Sequence, residues 1–145
     1  MRKEKSIQFH FLKKVYLTNR TCLRSFLVKF FKQQGKKVSI VNYIFCSNQY
    51  LLKINRKYLC HYSYTDIITF ELSEKDAPLV ADIFISVERI AENKGHFNTT
   101  LKTELHRVIF HGALHLCGYS DKTVNQTQQM REAENDLLKT YFSFT

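Results

Sequence analysis

The stretch His111-Gly-Ala-Leu-His115-Leu-Cys-Gly118-Tyr-Ser-Asp121 decides how this chain is read. It closes a run from Thr99 or Thr100 to Cys117 that reads as one helix, with His111 and His115 at positions i and i+4. Four steps of about 100° overshoot a full turn by only about 40°, so both imidazoles lie on one face. Gly118 supplies the residue that takes the left-handed conformation at a helix end, and the chain folds back so that Asp121 reaches the same point. Two imidazoles and a carboxylate with a vacant fourth position form the ligand set of a catalytic zinc site. His111, His115 and Asp121 are therefore the expected ligands of one Zn²⁺ ion, with no small-molecule cofactor needed.

The segments on either side supply a scaffold. Thr123-x-x-Gln126 is a capping-box pattern that opens a last helix, in which Met130, Ala133, Leu137, Leu138 and Tyr141 form a core face. Ser6–Leu12 alternates with Ile7, Phe9 and Phe11 on one side, as a strand does. Thr18 or Asn19 is expected to cap a helix whose apolar face is Leu23, Phe26, Leu27, Phe30 and Phe31 and which closes at Gly35. Lys37–Cys46 reads as a strand and Asn48–Leu59 as a helix. Asp66–Leu72 and Val80–Val87 are two more strands around a turn at Pro78, and a short helix follows over Ser86–Lys94. The expectation is one α+β domain over residues 1–145, an about four-stranded mixed sheet packed with helices.

Composition narrows the function. The chain has 145 residues, 44% apolar and 14% aromatic, enough to bury a single core. Its formal charge of +9 is unevenly spread. Residues 1–40 hold eleven Lys/Arg against one acid, a net +10, and residues 41–145 hold eleven against twelve. A one-sided basic cluster favours docking to an anionic partner such as nucleic acid, and Arg20, Arg24, Lys29 and Lys32 on the first helix are the expected contacts. Cys22, Cys46, Cys60 and Cys117 show no paired spacing and read as reduced thiols of a cytoplasmic protein. No apolar run is long enough for a membrane span, and the N-terminal segment lacks the apolar block of a signal peptide.

The spacing His-x3-His-x2-Gly-x2-Asp matches the ligand framework of metzincin peptidases, which gives the helix a zincin-like character. Those enzymes place a glutamate general base directly after the first histidine, and here that position is Gly112. A peptidase mechanism would lack its base. For an RNA phosphodiester, a missing carboxylate beside the metal removes a repulsion, so the spacing points to metal-assisted hydrolysis of a polyanion.

His111-Gly-x-Leu-His-Leu-x-Gly-Tyr119 resembles the signature of the YbeY family of bacterial metallo-endoribonucleases. Asn55-Arg-Lys-Tyr58, Thr65-Asp-Ile-Ile-Thr-Phe70 and Ala81-Asp-Ile-Phe-Ile85 follow the family order, and Met130 with Glu134 matches its Met-x-x-x-Glu. The resemblance implies a cytoplasmic, zinc-using, single-strand-specific RNase of 16S ribosomal RNA 3′-end maturation and ribosome quality control, with the ribosome and its RNA as partners. It also exposes departures: Ser120-Asp121 where the family motif reads Asp-His, Ala81 for a usual glycine, and Leu59 where many members carry an arginine. With Leu59 unable to meet a phosphate, Arg107 is the expected phosphate clamp and Glu104 the group that orients water or a ligand histidine, although the two also suit an i,i+3 salt bridge. Arg56 is a further candidate RNA contact. The unfilled roles at Gly112 and Leu59 sustain an alternative: a ribosome- or RNA-binding assembly factor with a structural metal.

Overall fold

The computed structural model describes residues 6–59, 66–96 and 99–143, together with the side chains of all of these except Leu59 and His96. Cys60 and Thr65 lie outside the described residues. Ile7–Phe11 (β1), Val38–Cys46 (β2), Ile67–Glu71 (β3) and Leu79–Ser86 (β4) form one mixed sheet in the order β1-β2-β4-β3. β2 is parallel to both β1 and β4, while β3 pairs antiparallel to β4 at the edge. The helices are Arg20–Gln33 (α1), Asn48–Ile54 (α2), Val87–His96 (α3), Leu101–Leu116 (α4) and Val124–Ser143 (α5). The α+β expectation and the four strands are met within a residue or two.

Strand alternation sets the layers. Val41, Tyr43 and Phe45 of β2 and Ala81, Ile83 and Ile85 of β4 are fully buried on the face that carries the main core, shared with Leu23 and Leu27 of α1 and Ile109, Phe110 and Ala113 of α4. The opposite face holds a smaller cluster, Cys46, Leu51 and Ile68, beneath α2.

Two expectations fail locally. Asn19 precedes α1 in the left-handed region (φ +53°) and makes no side-chain cap bond; its carbonyl, bonded by the Leu23 N–H, opens the helix instead. The helix expected over Asn48–Leu59 stays α-helical only to Ile54 and then widens into a π-helical turn, Asn55–Leu59. Apolar spacing does not distinguish the two windings over a single turn. The basic face of α1 is also more structural than expected. The Arg20 guanidinium lies 4.4 Å from the Phe11 ring centroid and that of Arg24 5.2 Å from Phe9, so both fasten α1 to β1. Lys29 and Lys32 are exposed.

The α4–sheet contact depends on a missing side chain. A Cβ on Gly112 would meet both Ile83 side-chain branches at 3.1 Å and Ile67 Cδ1 at 3.2 Å, so α4 rides unusually close to β4 and β3. The buried Tyr43 hydroxyl donates to the Ile109 carbonyl of α4 at 2.9 Å, tying the same helix to β2. At its C-terminus the Tyr119 N–H bonds the Leu114 carbonyl and the Gly118 N–H bonds that of His115, a Schellman pair around Gly118 at φ +100°. The Thr123/Gln126 capping box then forms as expected and starts α5.

Between α4 and α5, His106 is buried against Phe110, Tyr141 and Phe142, with Nδ1–H donating to the Lys102 carbonyl at 2.8 Å. Burial pushes its pKa below the usual value, against the hydrogen bond, and the Lys102 charge adds to that lowering.

Two tests follow from this packing. Gly112→Ala should leave the melting temperature nearly unchanged, because a helix-propensity gain of about 1 kcal/mol offsets the push on Ile83. Gly112→Glu should cost about 3 kcal/mol or more, roughly a 10 °C fall by calorimetry, because its chain and charge meet the apolar sheet. For His106, the unfolded chain takes up the proton first as pH falls. Its contribution is therefore complete above about pH 6.5 and is lost below it. Thermal melts from about pH 7.5 to 5.5 should show a steeper loss in the parent than in His106→Phe.

Candidate active site

α4 presents His111 and His115 toward a cavity of about 1480 Å³ whose walls come from α4, α5, β3 and the turn after α4. The reversal at Gly118 returns the chain over this cavity and brings Asp121 Oδ2 to 3.5 Å from His111 Nε2. On the other side of the ring, His111 Nδ1 lies 2.7 Å from Glu134 Oε2, in hydrogen-bond contact with α5. The imidazole is therefore gripped at Nδ1 with Nε2 turned to the cavity. Burial alone would lower the pKa of His111, but the Glu134 hydrogen bond and charge, aided by Asp66 and Asp121, outweigh it and raise the pKa above the ordinary value.

Glu134 is buried within a charge network. Its Oε1 accepts from Arg107 Nη1 at 3.3 Å and faces Arg131 Nη1 at 3.6 Å. Arg107 also pairs through Nε with the buried Glu104 at 3.4 Å and donates to Asn135 Oδ1 at 2.8 Å. Two carboxylates thus share one guanidinium in a place where an unpaired charge would be costly.

The sequence-predicted residues divide accordingly. His111, His115 and Asp121 meet at one cavity, and Arg107 and Glu104 line it too. The i,i+3 salt bridge between Arg107 and Glu104 is formed. With Nε engaged by Glu104 and Nη1 by Glu134 and Asn135, and its side chain 14% exposed, Arg107 braces the cavity wall. The carboxylate in hydrogen-bond contact with His111 is Glu134, a residue that the sequence reading names only as part of a motif. Its signal in the sequence was a carboxylate four residues from both Met130 and Leu138, inside the apolar stripe of α5. Asp66 lines the cavity as well and accepts from Asn93 Nδ2 at 3.4 Å, whereas Asp82 accepts from Asn42 elsewhere on the sheet. Arg56 is exposed on the π-helical turn.

No three His, Cys, Asp or Glu side chains among the described residues stand in a ready-made metal cluster, so the zincin-like helix is not established as such. The donors nevertheless suit a divalent ion. A histidine whose Nδ1 is hydrogen-bonded to a carboxylate leaves Nε2 as the ligating atom, and a carboxylate already faces that nitrogen.

Comparison with known proteins places this arrangement. The family model described as Endoribonuclease YbeY matches residues 7–142. A protein of that name from Cytophaga hutchinsonii is 45% identical over 122 residues, 84% of this chain and 85% of its own. Another from Bacteroides thetaiotaomicron is 48% identical over 104 residues, 72% of this chain and 75% of its own. The chain belongs to the YbeY family. A solution structure of a Thermotoga maritima protein is similar across 93% of this chain and 89% of its own, with TM-score 0.61 and 25% identity.

For a YbeY-family chain, the Met130–Glu134 motif now has a physical meaning: Met130 buries the base of α5 and Glu134 reaches the site histidine. Glu134→Gln keeps the shape and removes the charge. In metal-free protein it should lower the His111 pKa, read by NMR titration of the ring protons. The stabilising part of the His111–Glu134 pair is complete below the unfolded histidine pKa of about 6.5 and fades as pH rises through the higher folded value. The same substitution should reduce divalent-ion affinity by about tenfold to a hundredfold.

Proposed function

We propose that the protein is a single-strand-specific, metal-dependent endoribonuclease that acts in the cytoplasm on ribosomal RNA, in 16S 3′-end maturation and ribosome quality control. The observation that carries the reading is His111, held by Glu134 at Nδ1 and facing Asp121 at Nε2, in a cavity shared with His115. Membership of a family named for endoribonuclease activity supports RNA as the substrate. No helix among the described residues is long and apolar enough to cross a membrane.

His111 Nε2, His115 and Asp121 would hold one Zn²⁺ ion. When bound it supplies Lewis acidity, polarising a phosphoryl oxygen and acidifying water near neutral pH. Glu134 keeps the Nδ1 proton of His111 in place, so that Nε2 stays a lone-pair donor. Asp66, steadied by Asn93, faces the same cavity and is the carboxylate we assign to accept a proton from the attacking water. The Arg107–Glu104–Glu134 network holds α4 and α5 in register, so the histidine and the carboxylates keep their spacing.

The engaged guanidinium of Arg107 favours a second reading, an RNA-binding assembly factor with a structural metal, since it takes a cation away from the reaction. One experiment separates the two. Purified protein is incubated with 16S precursor RNA and with casein, with Zn²⁺ or chelator, beside His111→Ala and Asp121→Ala. Bound metal is counted by elemental analysis. Cleavage of RNA alone, abolished by chelator and by either substitution along with metal occupancy, is the expected result. RNA binding by parent and His111→Ala without cleavage by either would establish the assembly factor, and Asp121→Ala with full occupancy would remove Asp121 from the ligand set.

A further inference from the structure

A row of aromatic rings leads away from the cavity over the open side of the sheet. Tyr50 of α2 lies 6.2 Å from Phe84, Phe84 5.9 Å from Phe70, and Phe70 5.9 Å from Tyr58 on the π-helical turn. The inner two rings are partly buried against the Cys46–Leu51–Ile68 cluster, and the outer two present themselves to solvent: Tyr50 is 40% exposed and Tyr58 57%. Neither exposed ring, Tyr58 edge-on to Phe70 and Tyr50 tilted against Phe84, is part of a core.

The row adjoins the site. Asn55, which begins the π-helical turn, and Ile68, which underlies the row, both line the cavity, and Tyr58 follows Asn55 by three residues. The segment that carries the outer rings, Asn48–Leu59, contains Lys53, Arg56 and Lys57 and no acid. Lys57 Nζ stands 5.3 Å from the Tyr58 ring centroid, so a charge and a stacking surface are presented together. Unpaired bases expose π-faces that stack on such rings, and the phosphates between them seek such cations; a duplex keeps its bases stacked inside.

We infer that the row Tyr50–Phe84–Phe70–Tyr58 is a track for single-stranded RNA leading to the cavity, with Tyr58 and Tyr50 stacking its bases and Lys53 and Lys57 meeting its phosphates. It rests on the reading of the cavity as an RNA-cleaving centre and adds to it the origin of strand preference. Tyr58 and Tyr50 are positioning residues for the substrate.

The test uses the full chain carrying His111→Ala, which holds RNA uncut, and a labelled single-stranded oligoadenylate followed by fluorescence anisotropy. Adding Tyr58→Ala should weaken binding about tenfold, while Tyr58→Phe retains it, because stacking needs the ring and not the hydroxyl. A base-free strand of the same length should bind parent and Tyr58→Ala equally. Lys53→Ala and Lys57→Ala should each lower the slope of log affinity against log salt by about one. Thermal melts confirm that each variant is folded, and in the cleaving chain Tyr58→Ala should raise KM with kcat nearly unchanged. Equal oligoadenylate affinity in Tyr58→Ala and its parent overturns the track and hands the rings to a protein partner, leaving the cleavage reading intact. Absence of any RNA binding by the parent overturns both.

Discussion

The close seat of α4 on the sheet at Gly112 is the constraint on which the rest of the structure turns. With Ile83 and Ile67 within 3.1–3.2 Å of where a Cβ would stand, even a methyl group would have to push the Ile side chains aside, and anything larger has no room. The helix settles against β4 and β3, and the Tyr43 hydroxyl fixes its height by reaching the Ile109 carbonyl. His111, one residue before Gly112 and so about 100° around the helix, is thereby brought to the groove between α4 and the edge strand β3. The glycine that looks in sequence like an omitted general base is occupied with packing. A glutamate at 112 would point into the sheet and would never reach the water that a peptidase glutamate activates.

The second organising element is the set of charges buried between α4 and α5. Glu104 and Glu134 are each about 4% exposed, and carboxylates so placed are tolerated only when paired. Arg107 serves both, and His111 takes the remaining oxygen of Glu134. The network welds the helix that offers the imidazoles to the helix that orients one of them. It also places the carboxylates of Asp66, Asp121 and Glu134 around His111, the sign of charge that outweighs burial and raises its pKa.

The features legible in the sequence were those with local causes. The i,i+4 histidines, the Gly118 reversal and the Thr123/Gln126 box each depend on residues a few positions apart, and each formed as read. Alternation at Ser6–Leu12 and β-branched, aromatic runs elsewhere likewise located the four strands of the described residues. What escaped was set by contacts distant along the chain. Glu134 meets His111 across 23 positions. The sequence offered Arg107 a salt bridge to Glu104 on its own helix, whereas its further partners Glu134 and Asn135 stand on another helix. The π-helical turn also escaped, because a single turn of altered winding leaves the apolar pattern unchanged.

The N-terminal charge takes on a different meaning once the side chains are placed. Stacked over Phe11 and Phe9, and with their Nε atoms bonded to the Leu17 and Ile7 carbonyls, Arg20 and Arg24 act as fasteners between α1 and β1. A guanidinium on a ring keeps its full charge, so both still add to the long-range positive field that Lys29 and Lys32 extend into solvent. That field acts on a polyanion at a distance and is indifferent to base or strand geometry. Discrimination of a single strand requires short-range surfaces, and in this fold the exposed rings beside the cavity stand on a segment that holds only three of the 22 basic residues. On the proposed reading as a single-strand RNase, attraction and recognition would be properties of two separate parts of the chain.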